Sequence, residues 1–484
     1  MKKTAAKKQP KKAPARASHD TALPDAFRDF MLRDWRPKKA RKIPLVKGAK
    51  NFHARRRALS ERFPGEYLVI PTGHEKVRAN DTFYRFRPGS DFYYLTGNVE
   101  PDCVLVLEPT GKKGHKDVLF VEPNPGRSDE TFFADRNKGE LWVGPRMGVP
   151  ESEAHYGVDA CLGLDELPDY LAKTKGAPVR VLRGFSEGVE KAVKSKRKDD
   201  EELATVLAEM RLIKDDLEVR ELQKAVDSTK RGFEDIIERL KIAKSEREIE
   251  GVFNLRARME GNDVGYGTIA AAGANACILH WTRNDAKVKA GDLVLIDAGV
   301  EAETLYTADV TRVLPVSGKF SKEQREVYEL VLEANLAAIA AVKPGNDFLD
   351  PHRAAMRVLA EGLERMGILE DAEEALQEDK QYYRRYTLHN TSHMLGLDVH
   401  DCAKARQEAY RYGQLQPGMV LTIEPGLYFQ VDDLTVPAKY RGIGVRIEDD
   451  VLVTARGCRV LTRDIPKGVE EVEAWMEEVW ARQN

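Results

Sequence analysis

Four carboxylates in this sequence stand beside strand-like apolar runs, where a charge is costly. Asp297 follows Leu293–Ile296 in DLVLIDAGV, and Asp309 opens ADVTRVLPV. Glu424 follows Leu421 and Ile423 in LTIEPGLYF, and Glu448 follows Val445 and Ile447 in GIGVRIEDDVLV. A carboxylate next to a strand core is expensive to desolvate unless it is paired or bound to a cation. Taken alone, either aspartate reads better as a strand end facing water. Four such acids gathered at one point would repel one another, and a divalent cation removes that penalty. His389, His393 and His400 fall within TLHNTSHMLGLDVHD, and His280 lies in CILHWT. Mixed oxygen and nitrogen donors suit Mn²⁺, Fe²⁺, Co²⁺ or Zn²⁺ better than Ca²⁺, without choosing among them.

The elements that would position these groups follow from pattern. Strand-like runs at 292–300, 309–316, 419–424 and 443–453 carry the acids, and most read as antiparallel. The short interval between Asp297 and Asp309 fits one turn between neighbouring strands, which would bring both carboxylates to one place on a sheet. Helices are predicted at 321–342 and 350–366, and one starts near Asp216. Ser245 followed by Glu248 predicts a capping box for the helix after it. His389 and His393 would share a helical face if their segment were helical, but Gly396 makes a loop an equal reading. Arg446 precedes Glu448 by two, so in a strand both point to one face. Upstream, EYLVI at 66–70, CVLVLEP at 103–109 and VLFVEP at 118–123 read as buried strands of a separate α/β domain, with helical stretches around 53–63 and 165–173. Residues 197–206, opening Arg-Lys-Asp-Asp, are charged and read as a linker.

Bulk properties narrow the class. A chain of 484 residues exceeds one core and fits two or three domains. A formal charge of −2 offers no broad field for nucleic acid or membrane. No apolar run reaches membrane-spanning length, and the amino terminus lacks the apolar core of a secretory signal. Five scattered cysteines without a Cys-x-x-Cys pair point to a reducing compartment, so a cytoplasmic location is expected. Residues 1–20, MKKTAAKKQPKKAPARASHD, read as a basic disordered tail that solubilises the chain or makes weak contact with polyanions.

The ordered set Asp297, Asp309, His393, Glu424, Glu448 resembles the metal ligands of the pita-bread metallopeptidases. ILHWTRND, GDLVLIDAGVE, DVTRVLPVSGKF, SHMLGLDVHD, GMVLTIEPGLY and YRGIGVRIEDD resemble the aminopeptidase P family of Xaa-Pro aminopeptidases. SDFYYLTGNVEPDCVLVLEP resembles that family's first domain. The resemblance runs from about residue 50 to the end. It implies an α+β fold, with a creatinase-like α/β amino-terminal domain before a pseudo-symmetric pita-bread catalytic domain. The expected boundaries are a basic tail over 1–25, the first domain over 26–212 and the catalytic domain over 213–484.

Carried over by position, the resemblance implies two divalent ions, with Mn²⁺ favoured. Asp297 would chelate one, His393 and Glu424 the other, and Asp309 and Glu448 both. A hydroxide between the ions would be the nucleophile and Glu424 its base. His280, His389 and His400 would hold peptide and help stabilise the tetrahedral oxygen, and Arg446 would support the ligands from behind. Asp81, in RANDTFYRF, aligns with an acid that pairs with the active-site Arg. Trp142, in ELWVG, aligns with a Trp that closes a neighbouring subunit's pocket, which implies a homo-oligomer, dimer or tetramer. Expected substrates are peptides with proline second. A prolidase limited to dipeptides is the nearest alternative, and a non-catalytic pita-bread binding module a more distant one. One departure stands out: Asn390-Thr391-Ser392-His393 replaces the family's Gly-Leu-Ser-His, which bears on pocket shape.

Overall fold

The computed structural model describes residues 22–36, 43–111 and 113–482. The basic tail through residue 21, and residues 37–42 of the second basic stretch, lie outside them.

The first half is built on a five-stranded sheet. Its strands run in the order Ala160–Gly163, His115–Val121, Val104–Pro109, Tyr67–Pro71, Val179–Val181. The central strand is antiparallel to both neighbours, and each outer pair is parallel. Four of the five strands therefore point the same way. The runs are apolar throughout because both faces are covered. Leu68, Ile70, Leu105 and Leu107 face one core, while Val69, Val104, Val106 and Phe120 face another. The helix Ala49–Arg62 contributes Leu59 to the first core. Leu167–Ala172 contributes Leu167, Tyr170 and Leu171 to the second.

Residues 197–206 are not a linker but part of a helix, Arg197–Met210. Leu203, Ala204, Leu207 and Ala208 form a buried stripe at helical spacing. Asp200, within the charged run, is itself buried and accepts the Val181 N–H at 2.8 Å. The density of charge conceals an element that is tied down on one side.

The second half opens with Asp216–Leu240, capped by Asp215, whose carboxylate accepts from the Leu217 and Glu218 amides. Glu246–Glu260 follows, with Ser245 Oγ accepting the Glu248 N–H at 3.3 Å. The return half of the expected box is displaced by one residue, since Glu248 takes the Lys244 N–H. Strands Ile269–Ala272, Leu293–Ala298 and Val310–Pro315 form one antiparallel sheet. Val420–Ile423, Asp449–Val453 and Cys458–Val460 form another, and Gly426–Tyr428 pairs with Gly444–Arg446. Lys322–Ala341 and Asp350–Arg365 pack together beside this second set. Each half of the domain thus joins a helix pair to antiparallel strands, the pseudo-symmetric plan of a pita-bread domain.

The single run expected over 443–453 is two strands. Arg446 pairs with Gly426, and Asp449 with Ile423, so the chain changes partner between them. The Glu448 amide is freed to donate to Thr311 O at 3.2 Å in the other sheet. That bond is where the two sheets meet. Among the described residues no helix is long and apolar enough to cross a membrane.

Candidate metal centre

All four acids lie at the strand ends where the sheets adjoin. Asp297 sits in Leu293–Ala298 opposite Thr311, and Asp309 directly precedes Val310–Pro315. Glu424 follows Val420–Ile423, its N–H held by Thr391 O at 2.8 Å. Glu448 occupies the break just described. His393 is in a loop, not a helix; the Thr422 N–H donates to its carbonyl at 2.9 Å, and Met394 bridges to Leu421.

The ligating atoms of Asp309, His393 and Glu448 all lie within 4.8 Å of one another. His393 Nε2 is 3.3 Å from Asp309 Oδ2 and 3.6 Å from Glu424 Oε1. The Tyr266 hydroxyl joins the cluster from behind, 2.7 Å from Asp297 Oδ1 and within hydrogen-bond reach of Asp309. Glu448 accepts from Thr311 Oγ1 at 2.7 Å. Arg446 donates to Asp297 Oδ2 at 2.6 Å and to Tyr428 OH at 3.0 Å. The four acids, His393, Tyr266 and Arg446 line one cavity of about 510 Å³, which His280, His389 and His400 also border.

Electrostatics agrees with a cation site. Burial, then repulsion from Asp309 and Glu424, pushes the Glu448 carboxyl far up. Burial lifts Glu424 to about 7, against the pull of His393 and Arg446. It lifts Asp297 as well, in spite of Arg446. Burial would lower His393, but Asp309 and Glu424 override it and carry the imidazole to about 9. Acids held partly protonated and an imidazole held charged are what a cluster of ligands shows before a cation replaces the protons. Four carboxylates and one imidazole at these separations fit a divalent ion of the Mn²⁺ to Zn²⁺ series.

The histidines divide by role. Both ring nitrogens of His389 have near partners: Nδ1 faces Asn390 O at 2.9 Å, with Glu424 Oε2 3.4 Å away, and Nε2 faces Tyr428 OH at 2.7 Å. Burial, aided by Arg446, pushes it down to about 3, so it stays neutral. His400 stacks edge-on against His393 at 4.5 Å between ring centroids. His280 is exposed on the cavity's rim. Asn390 also lines the cavity, and its backbone φ is not positive, so this position does not demand the family's glycine.

Two expected residues are not on the cavity wall of this chain. Asp81 lies in the turn of the hairpin between Val77–Ala79 and Thr82–Phe83. Trp142 is 50% exposed on Glu140–Val143, its indole donating to Phe133 O at 2.7 Å. Conversely, Tyr266 and Thr311 hydrogen-bond the candidate ligands, and Tyr428 braces Arg446 and His389, though none of the three is a metal-binding residue type in this pattern. Thr311 has a local signal, since it stands two after Asp309 and so faces the same way in an extended chain. Tyr266 has none, because it reaches Asp297 across 31 positions.

A carboxylate–histidine cluster between the two halves of a pseudo-symmetric domain, with an α/β domain before it, defines a pita-bread metallopeptidase. The chain belongs to metallopeptidase family M24, whose profile matches residues 220–455, and carries an aminopeptidase P amino-terminal domain over residues 52–181. It is 53% identical over 456 residues to Xaa-Pro aminopeptidase 1 of Streptomyces coelicolor, covering 93% of this chain and 92% of that one. It is 36% identical over 444 residues to the Xaa-Pro aminopeptidase of Escherichia coli, covering 88% and 97%. Among solved structures, E. coli aminopeptidase P with the inhibitor Pro-Leu superposes with a TM-score of 0.81 at 34% identity, over 91% of this chain and all of that one. A zinc-substituted form of the same enzyme in complex with product matches with a TM-score of 0.80 at 34% identity, over 90% and 99%. The chain is thus a metallopeptidase with a divalent-metal site.

Proposed function

We propose that this protein is a dinuclear, divalent-metal-dependent Xaa-Pro aminopeptidase. The convergence of Asp297, Asp309, His393, Glu424 and Glu448 on one cavity carries this reading. The names of its relatives favour the same activity. We assign Asp297 to one ion, His393 and Glu424 to the other, and Asp309 and Glu448 to both, with Mn²⁺ preferred. Bound divalent ions supply an acidified water and polarise the peptide carbonyl.

The chain's own groups do the rest. Glu424, on the cavity wall beside His393, is placed to accept a proton and return it to the departing proline nitrogen. That transfer matters because the bond to proline is a tertiary amide, whose leaving amine must be protonated. Arg446 and Tyr266 fix the Asp297 carboxylate. His280 and His400 stand where they can hydrogen-bond the peptide, while His389 lines the cavity with its ring fixed by Tyr428.

The same reading divides the chain at residues 212 and 213, just before the Asp215 cap. It also makes the protein a homo-oligomer, with the exposed Leu141–Val143 segment at the contact and Asp81 and Trp142 serving a neighbour's pocket. A cytoplasmic location fits the five free cysteines.

The test pairs metal analysis with hydrolysis of Xaa-Pro and Xaa-Pro-Yaa peptides. Cleavage of both, lost on chelation and regained with Mn²⁺, is expected. Cleavage of the dipeptide alone would make the protein a prolidase instead. Full activity without metal would overturn the two-ion scheme.

A further inference from the structure

A second arrangement with catalytic geometry lies in the amino-terminal domain. Residues 184–188 spell Gly-Phe-Ser-Glu-Gly, a Gly-x-Ser-x-Gly sequence. It falls between the strand Val179–Val181 and the helix Glu187–Ala192. His74 Nε2 lies 3.0 Å from Ser186 Oγ, and His74 Nδ1 hydrogen-bonds the Asp102 carboxylate. The Asp102 N–H donates to Gly73 O at 2.8 Å, which fastens the acid to the segment carrying the histidine.

Ser186 occupies a helix N-cap, where a serine usually accepts an amide of the first turn. Its side chain makes no such bond; it is buried and turned to His74. The three groups border a cavity of about 680 Å³ with an apolar wall formed by Val104, Leu167, Leu171 and Val189. This cavity sits at the carboxyl edge of the sheet's like-directed strands, beside Pro71, Glu122, Leu164 and Ser186, the edge at which α/β sheets bind ligands. The backbone at Ser186 is extended, φ −148° and ψ 105°, so the serine is presented by the cavity wall and not by a strained turn.

We propose that Ser186, His74 and Asp102 form a serine-type acyl-transfer site, separate from the metal centre, that takes esters of short apolar acids. A serine-histidine-aspartate set is recognised by geometry and role, not by order along the chain. Ser186 Oγ attacks the ester carbonyl carbon while its proton passes to His74 Nε2. The bond to the alcohol oxygen then breaks, and the alcohol leaves with the proton from His74. Water repeats the sequence on the acyl-serine, releasing the acid and restoring the hydroxyl. Asp102 accepts from Nδ1–H and so keeps Nε2 free to receive the serine proton.

The experiment uses full-length protein in chelator, so that metal-dependent hydrolysis is silent. A fluorophosphonate probe, followed by peptide mass spectrometry, should modify Ser186. Hydrolysis of p-nitrophenyl butyrate should fall about 100-fold or more in Ser186→Ala and in His74→Ala. Asp102→Asn should slow labelling while Ser186 remains in place. Metal-restored Xaa-Pro hydrolysis should be unchanged in Ser186→Ala, which reports an intact fold. Failure of the wild-type protein to label at Ser186, or ester hydrolysis that survives in Ser186→Ala, would overturn the assignment.

Discussion

Arg446 and Asp297 form a buried ion pair, Nη2 to Oδ2 at 2.6 Å, across 149 positions of sequence. The same guanidinium reaches Tyr428 OH and Thr311 Oγ1, so one side chain orders an acid, the wall beside His389 and the hydroxyl that holds Glu448. Lysine cannot reproduce a fork with three partners. Arg446→Lys is expected to lower kcat/KM by roughly 10- to 100-fold, the scale for losing a partner that orients metal ligands. Steady-state kinetics at saturating metal would measure it, and a wild-type kcat/KM would refute the role.

Tyr266 is the second such partner, bound to both Asp297 and Asp309. Tyr266→Phe keeps the ring and deletes the bridge. Metal affinity should weaken by about 10-fold. Calorimetric titration of metal-free protein would give the constant directly, and an unchanged affinity would remove Tyr266 from the site's support.

Metal should also stabilise the fold, because the cluster crowds Asp309 and Glu448 into a buried space. At a hundredfold excess over Kd, one site adds about 2.7 kcal/mol. Thermal scans with and without Mn²⁺ should therefore differ for the wild type and converge for Glu448→Gln. Equal shifts in both proteins would place the stabilising ion elsewhere.

Acid sensitivity has a separate source next to the site. Asp449 is fully buried and binds Arg312 at 2.8 Å and Lys467 at 2.6 Å. Burial alone would push its carboxyl up, but Arg312 and Lys467 override this and hold it well below the usual range. A depressed folded-state pKa contributes stability that is complete above the unfolded value, about 3.9, and is lost as pH falls toward the folded value. Asp449→Asn should flatten the decline below about pH 4 and cost about 3–5 kcal/mol near neutrality by leaving the buried Arg312 guanidinium without its carboxylate. Since Arg312 also donates to Glu448 O at 2.6 Å, activity should fall as well. Denaturant titrations across pH would check both effects, and an unchanged acid limb would clear Asp449.

Sequence by itself singled out the candidate ligands and their strand contexts. Asp297, Asp309, Glu424 and Glu448 each interrupt or end an apolar run, and a charge there needs a reason that local pattern can reveal. The five-ligand order then pointed to the family, and the buried strands at 66–70, 103–109 and 118–123 were legible because both faces are covered. Only the tertiary structure decided what holds the ligands. Tyr266, Tyr428 and the Arg446–Asp297 pair act between segments far apart in the chain, and no local periodicity encodes such a contact. Helix Arg197–Met210 looks like a linker in sequence for a related reason: its charges dominate the composition, while its anchoring depends on a sheet edge that the sequence does not display. A local pattern reports which groups are costly to bury; the fold decides which partners offset the cost.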